Sequence, residues 1–309
     1  MTLHASRDHA VTAEQSGCDR LLVIVIVTYE SADVLPGLLD SLRPGLGGIA
    51  RHRVIVVDNN SSDDLSLIAA THAIRPEVIQ MGRNAGYAAA INAAAANAGT
   101  DADLLVLNPD IRLFPGAALA MRARLADPSV GVVVPQILDE GGNVVLSLRR
   151  EPSILTAWSE ALLGGRIATR LGLGEIIDAA PLYTQGSQVE WATGAALMIS
   201  AEARRLAGVW DESFFLYSEE VDYLRRIRQC GLAIEYATQA RVVHIGGDYL
   251  ENPFLSGLMA GNRIRDYSRR HGRAATGLFR LGVIAGELIR AGAGPGHRAA
   301  LRAALTTRD

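Results

Sequence analysis

The sequence predicts an α/β fold with a mostly parallel sheet flanked by helices and followed by a helical C-terminal extension. Three observations carry this. Four apolar runs alternate with helical patterns within the first 125 residues, each run ends in polar or turn-forming residues, and from Phe254 onward the spacing is helical only. A chain of 309 residues that is 49% hydrophobic has enough apolar surface for a large core.

The elements follow in order. Residues 21–27 form a continuous Leu/Val/Ile run, which predicts a strand buried on both faces. Residues 34–42 have helical spacing, with Leu35, Leu38, Leu39 and Leu42 on one face. Residues 54–57 form a second strand ending at Asp58, and Asp63 and Asp64 favour the start of a helix, where its dipole is positive. Residues 78–81 predict a third strand, 88–98 an Ala-rich helix that packs closely on a sheet, and 104–107 a fourth strand. Repeated strand–helix units of this kind pair in parallel through right-handed crossovers. A helix over 115–125 and a strand over 130–135 follow. Residues 139–188 are interrupted by glycines and are expected to form an irregular excursion over the site. Order is expected again in a strand over 189–200, a charged helix over 219–229, and short strands over 234–237 and 241–245.

Composition excludes several classes. A net charge of −3 and a pI near 6.2 provide no basic field, which argues against nucleic acid as a partner. Cys18 and Cys230 are too few and too isolated for a disulfide framework or a Cys-based zinc site. Residues 1–20 are polar, with no apolar h-region, and are expected to be a disordered leader. No window reaches the roughly 18 apolar residues of a spanning helix, so the expected location is cytoplasmic.

The first strand does not open a Gly-x-Gly-x-x-Gly turn, and no Walker A motif occurs. Instead, polar residues stand at four successive strand ends. These are Thr28, Tyr29 and Glu30, then Asp58, Asn59 and Asn60, then Arg83, Asn84 and Gly86, then Asn108 and Asp110. In an open α/β sheet such ends converge on the ligand crevice. Asp110, where an apolar strand runs into Asn108-Pro109-Asp110, is the first candidate for handling a metal or phosphate. The alternative is a plain strand-ending turn, and Asp58 carries the same alternative. Arg83 and the amides of the turn through Gly86 open a helix and are candidates for meeting a diphosphate, or serve only as a helix start.

Taken together, Val25-Ile26-Val27-Thr28-Tyr29, Val56-Val57-Asp58-Asn59-Asn60-Ser61-Ser62-Asp63, Asn84-Ala85-Gly86-Tyr87, Leu107-Asn108-Pro109-Asp110, Gly194-Ala195, Trp210-Asp211-Glu212-Ser213-Phe214-Phe215 and Glu219-Glu220-Val221-Asp222 resemble the motifs of family 2 inverting glycosyltransferases of GT-A fold. The resemblance is to the branch that includes bacterial rhamnosyltransferases. It covers about residues 21–250. It implies a nucleotide-sugar-binding half over 21–125, an acceptor and catalytic half over 126–250, and an extension over 251–309.

The resemblance further implies donor contacts from Thr28, Tyr29, Glu30, Asp58, Arg83, Asn84, Gly86 and Asn108, and a sugar and acceptor strip at Trp191, Thr193 and Gly194. Trp191 is equally compatible with the core. A divalent metal, Mn²⁺ or Mg²⁺, is expected on Asp110 and His244. Relatives usually have Asp-x-Asp where this chain has Asn108-Pro109-Asp110, so one charge is missing. The catalytic base maps to Glu220, with Asp222 in reserve, where relatives usually have Glu-Asp. The same carboxylates also suit a helix N-terminus.

The expected reaction moves a sugar, best guess rhamnose, from a dTDP- or UDP-sugar to a cell-envelope or exopolysaccharide glycan or glycolipid. A sugar nucleotidyltransferase, or an inactive sugar-nucleotide-binding protein, is the alternative. The arginines from Arg263 to Arg273, followed by Leu278, Leu281, Ile284, Leu288 and Ile289, suit either peripheral contact with an anionic membrane at the inner face or a solvated face on packed helices.

Overall fold

The structure is a computed structural model that describes residues 20–246 and 252–307. The leader expected over 1–20 therefore falls almost wholly outside the described residues, as does Gly247.

The first half follows the expected alternation: β1 (Leu22–Thr28), α1 (Leu35–Gly45), β2 (His52–Asp58), α2 (Leu65–Thr71), β3 (Glu77–Gln80), α3 (Tyr87–Ala98) and β4 (Asp103–Leu107). Then come β5 (Ile111–Leu113), α4 (Ala117–Leu125), β6 (Val130–Leu138), β7 (Leu148–Arg149), α5 (Ile154–Leu163), α6 (Gly165–Arg170), α7 (Ala180–Gln185), β8 (Ser187–Gln188), β9 (Trp191–Ala192), β10 (Ala196–Ile199) and α8 (Ala201–Ala207). A 3-10 turn (Glu212–Phe214) leads to α9 (Glu219–Gln229), β11 (Ala233–His244), α10 (Pro253–Ser268), α11 (Arg273–Arg290) and α12 (Pro295–Thr306).

The main sheet runs β3-β2-β1-β4-β10-β6-β11-β5, with β8 beside β11. Strands β1 to β4 are mutually parallel, β6 and β11 are parallel, and β10 is antiparallel between the two groups. Apolar residues on opposite sides of the central strands feed two separate cores. Val23, Val25 and Val27 face Ala88, Ile91 and Ala94 of α3, while Leu22, Ile24 and Ile26 face Leu35, Leu38 and Leu39 of α1.

Three expectations change. The strand expected over 189–200 is two strands, because Thr193 and Gly194 leave the ladder between β9, which pairs with β7, and β10, which joins the main sheet. The two strands expected over 234–245 are one, since β11 passes through a register shift between Ala237 and Arg241 without losing β6. The 139–188 excursion contains three helices. Ser153 starts α5 with a capping box shared with Thr156, and Gly164, in a left-handed conformation with φ of 82°, separates α5 from α6.

Candidate active site

The register aligns Thr28 with Asp58 and Asp58 with Gln80, so the ends of β1, β2 and β3 open on one edge, with β4 delivering Asn108 beside them. Thr28 is buried and donates to the Val57 carbonyl at 3.2 Å, while Tyr29 is half exposed. Glu30, with φ of 48°, accepts from the Ser62 amide at 2.9 Å. Asp58 is buried and accepts from the Ser61 hydroxyl at 2.5 Å, which realises its turn alternative. These bonds tie the first two strand ends into one rigid edge.

The Arg83–Gly86 turn is pinned from behind. The Asn59 side chain accepts from the Ala85 amide at 3.2 Å and donates to the Gly86 carbonyl at 3.3 Å. Asn84 accepts from the Gly86 amide at 3.2 Å, and the Tyr87 amide donates to the Phe215 carbonyl at 2.8 Å. Of the amides expected to meet a diphosphate, those of Ala85 and Gly86 are therefore engaged within the protein. Exposed Arg83 remains as a cation of this turn. Gly86 has φ of 92°, and a Cβ there would collide with the Phe215 backbone, so only glycine fits.

Asp110 lies beyond Asn108, whose amide donates to the Ala195 carbonyl at 2.9 Å. β5 pairs with the end of β11 and sets His244 opposite Ile111, bringing His244 Nε2 to 3.2 Å from Asp110 Oδ2. The other oxygen, Asp110 Oδ1, is buried with no hydrogen-bond partner. A Cβ on Gly246 would collide with Asp110 Oδ2, so the backbone approaches the carboxylate closely. A hard, orphaned carboxylate oxygen beside an imidazole fits a divalent cation. No group of three His, Cys, Asp or Glu side chains able to hold a metal occurs among the described residues.

Glu219 and Glu220 open α9, and each keeps one buried oxygen, Oε2, without a partner. Burial, then the Glu220 charge, holds the Glu219 carboxyl well above the usual carboxylate range. Burial also pushes Glu220 up, to about 7. Asp222 is engaged by Arg226 at 2.9 Å. Gly194 lies against Glu220, where an added Cβ would sit 3.5 Å from the Glu220 Cβ, and the Gly194 carbonyl accepts from the Tyr87 hydroxyl at 3.0 Å. The Tyr87 phenol is raised well above its ordinary value, first by burial and then by the Glu219, Glu220 and Asp110 charges.

Glu220 lines a cavity of about 410 Å³ that continues past Arg149, Trp191 and Arg263 to Gly282 and Arg290 in α11. Trp191 is largely buried, donates its indole N–H to the Arg150 carbonyl at 2.7 Å and still borders the cavity. Thr193 is tied by its amide to the Ser147 carbonyl at 3.2 Å.

Sequence reasoning missed the turn that presents Glu220. Phe215, Tyr217 and Ser218 all have positive φ, a costly conformation for residues with side chains. It is held by buried Asn262 of α10, whose amide nitrogen donates to the Phe214, Leu216 and Tyr217 carbonyls at 2.6, 2.8 and 3.3 Å. Sequence marks Phe215 and Tyr217 only as aromatic, and Asn262 lies too far along the chain to be linked to them. Tyr87 stood within a motif, but its bonds to the Gly194 and Phe215 carbonyls emerge only from the packing.

The arginine cluster is mostly engaged within the protein. Arg263 binds Glu160 and Glu175, Arg265 donates to the Ser213 carbonyl, Arg269 binds Asp211, and Arg270 binds Asp266. No helix among the described residues is long and apolar enough to cross a membrane.

Known proteins resemble this chain in sequence and in fold. The model of Glycosyl transferase family 2 matches residues 23–181, just over half of the chain. An N-acetylglucosaminyl-diphospho-decaprenol L-rhamnosyltransferase of Mycobacterium tuberculosis is 29% identical over 238 residues, covering 72% of this chain and 76% of its own. The low-salt glycan biosynthesis hexosyltransferase Agl10 of Haloferax volcanii is 25% identical, covering 77% of this chain and 71% of its own. Among solved structures, GalNAc-T7 with UDP, GalNAc and Mn²⁺ superposes with a TM-score of 0.57 at 15% identity, over 84% of this chain and 54% of that one. The mannosyltransferase PcManGT of Pyrobaculum calidifontis, with GDP-Man and Mn²⁺, gives 0.52 at 18% identity, over 93% of this chain and 76% of that one. These likenesses identify the sheet and its helices as the GT-A fold.

Proposed function

This chain belongs to glycosyl transferase family 2, and from that premise we propose that it is a metal-dependent inverting glycosyltransferase acting on a lipid-linked glycan, with dTDP-rhamnose as the preferred donor and a UDP-sugar as the second choice. One observation carries the reading. Glu220, one of whose carboxylate oxygens is buried without a partner, lines a cavity large enough for an acceptor sugar and packs beside Gly194, whose carbonyl accepts from Tyr87. The similarity to a rhamnosyltransferase whose name specifies a diphospho-decaprenol acceptor supports both the sugar and the lipid.

In this reading residues 21–125 hold the donor. Tyr29 and Asp58 border the base and ribose, Thr28, Glu30 and Asn84 shape that edge, and Arg83 meets the diphosphate. Gly86 and Asn108 keep the backbone close. Asp110 and His244 would hold Mn²⁺ or Mg²⁺, which supplies positive charge to the departing nucleoside diphosphate. Residues 126–250 supply the acceptor strip at Trp191, Thr193 and Gly194 and the base, and 251–309 close the cavity from below.

Glu220 takes the proton from the acceptor hydroxyl as that oxygen bonds to the anomeric carbon. The bond from that carbon to the diphosphate oxygen breaks on the opposite face, and its electron pair leaves with the nucleoside diphosphate. A base poised near pH 7 suits this task, and burial is what moves Glu220 there. Asp222 stands two positions further along α9 and is already paired with Arg226. The reaction is placed at the cytoplasmic face of the membrane, where a soluble donor meets an anchored acceptor.

The test is incubation of the protein with dTDP-rhamnose and an N-acetylglucosaminyl-diphospho-polyprenol, with Mn²⁺ or with EDTA, and mass spectrometry of the lipid. A rhamnose added only with metal is expected. Nucleotide binding without turnover across dTDP- and UDP-sugars would leave an inactive binding protein. Release of inorganic pyrophosphate from a nucleoside triphosphate and a sugar phosphate would make it a nucleotidyltransferase.

A further inference from the structure

Helices α5 and α11 pack through small residues. A Cβ on Gly282 would lie 3.1 Å from the Ala157 Cβ, and one on Gly286 would lie 3.3 Å from the Ala161 Cα. On one side of this seam the Trp158 indole N–H donates to the Leu278 carbonyl at 3.0 Å. Leu155 and Leu162 stand three residues before and four after Trp158, so they share its face of α5. Leu281, Leu288 and Ile289 fall within one helical stripe with Leu278 on α11. All six aliphatic side chains are half exposed or more. The two stripes therefore form one continuous apolar face with a half-buried tryptophan between them. Arg166 and Arg170 of α6 extend it, both exposed, and no exposed residue of α5, α6 or α11 is a carboxylate.

We propose that this α5–α6–α11 face is the surface by which the protein seats on an anionic lipid bilayer, with Leu155, Leu162, Leu278, Leu281, Leu288 and Ile289 entering the interface and Arg166 and Arg170 meeting the phosphates. Aliphatic side chains beside an interfacial tryptophan and flanking arginines are the pattern of a helix lying in the plane of a membrane. Charge decides between occupants. A second copy docked symmetrically would set arginines against a face that offers no exposed carboxylate, whereas anionic headgroups complement it. Position agrees, because Ala157, Ala161, Gly282 and Gly286 on the inner side of the same seam line the cavity that ends at Glu220. A lipid-linked acceptor held in the bilayer under this face would have a short path to the base. That last step rests on the proposed function, while the seating does not.

The experiment is co-sedimentation of the full chain with phosphatidylglycerol or phosphatidylcholine vesicles at low and high salt. It is repeated with Leu281→Glu/Leu288→Glu and with Arg166→Glu/Arg170→Glu. Binding to phosphatidylglycerol that weakens in salt, and falls at least about tenfold in both variants, is expected. Thermal shifts with nucleoside diphosphate and Mn²⁺ should be unchanged in both, which reports folding and the donor site separately. Equal sedimentation of wild type and variants would overturn the proposal. So would a dimer in analytical ultracentrifugation that the leucine variant makes monomeric, since the face would then join two copies. Vesicle binding without any sugar transfer would leave the seating intact and sink the proposed function instead.

Discussion

Glu219 and Glu220 are adjacent in sequence, both buried at the carboxylate, and each keeps an oxygen that nothing in the protein satisfies. Such groups cost stability and persist where chemistry uses them. Glu220→Gln should keep donor affinity and reduce transfer at least about 10²-fold, because the amide cannot accept the proton. The pH response has a definite sign. Glu220 rises from an ordinary 4.5 to about 7, so the folded chain holds this proton more tightly than the unfolded chain. Its stabilising contribution is complete below about pH 4.5 and is lost as pH rises through about 7. Activity should therefore climb through a limb near pH 7, and Glu220→Gln should melt higher than wild type at pH 8 but not at pH 4. A variant that is fully active, or no more stable at pH 8, would remove Glu220 as the base. Asp222→Asn should retain transfer and lose only about 0.3–0.5 kcal/mol from its pair with Arg226. Asp110→Asn removes the carboxylate that pairs with His244 and should abolish the Mn²⁺-dependent thermal shift by nucleoside diphosphate. An unchanged shift would place the metal elsewhere.

The strained turn from Phe214 to Ser218 is clasped on two sides. The Tyr87 amide at the start of α3 holds the Phe215 carbonyl, and Asn262 in the middle of α10 holds three more carbonyls. Asn262 thus acts as a positioning residue, joining the C-terminal extension to the base. Asn262→Ala should leave buried carbonyls without donors, at about 1–3 kcal/mol in stability, and lower kcat with little change in donor KM. If the turn loosens, water reaches Glu220, and the limb near pH 7 should move toward the ordinary carboxylate range. A merely structural Asn262 would lower the melting temperature and leave that limb in place. The sequence made β1, β2, β4 and the strand-end residues legible, because continuous apolar runs and turn chemistry are local signals. It could not reveal β5, three residues long, which sets His244 beside Asp110. Nor could it reveal that Arg263 and Arg269 are paired with carboxylates, because those partners lie 103 and 58 residues away.

Across the whole chain, the extension over 251–309 is stitched to the catalytic half by charge as well as by packing. Arg263 reaches Glu160 at 2.9 Å and Glu175 at 2.6 Å, and Arg225 of α9 joins Glu151 to Asp266 of α10. Burial alone would lower the Arg263 guanidinium, but Glu175 and Glu160 outweigh it and raise it. Around these ions Tyr267 stacks on Phe279 at 4.1 Å, and Phe279 is fully buried. Cutting the pairing on one side strands two carboxylates in the interior, so Arg263→Met should cost about 3–5 kcal/mol although methionine fills much of the volume. The same links predict that the extension and the catalytic half unfold together. Wild type should show one transition, with tryptophan fluorescence, which includes Trp191 and Trp210 of the catalytic half, coinciding with far-ultraviolet circular dichroism, which also reads α10 to α12. In Arg263→Met the two probes should still coincide, at a lower temperature. If circular dichroism instead melted first while fluorescence held, the extension would be an independent unit, and the closure of the cavity over Glu220 would not depend on the ion pairs that bind the two parts.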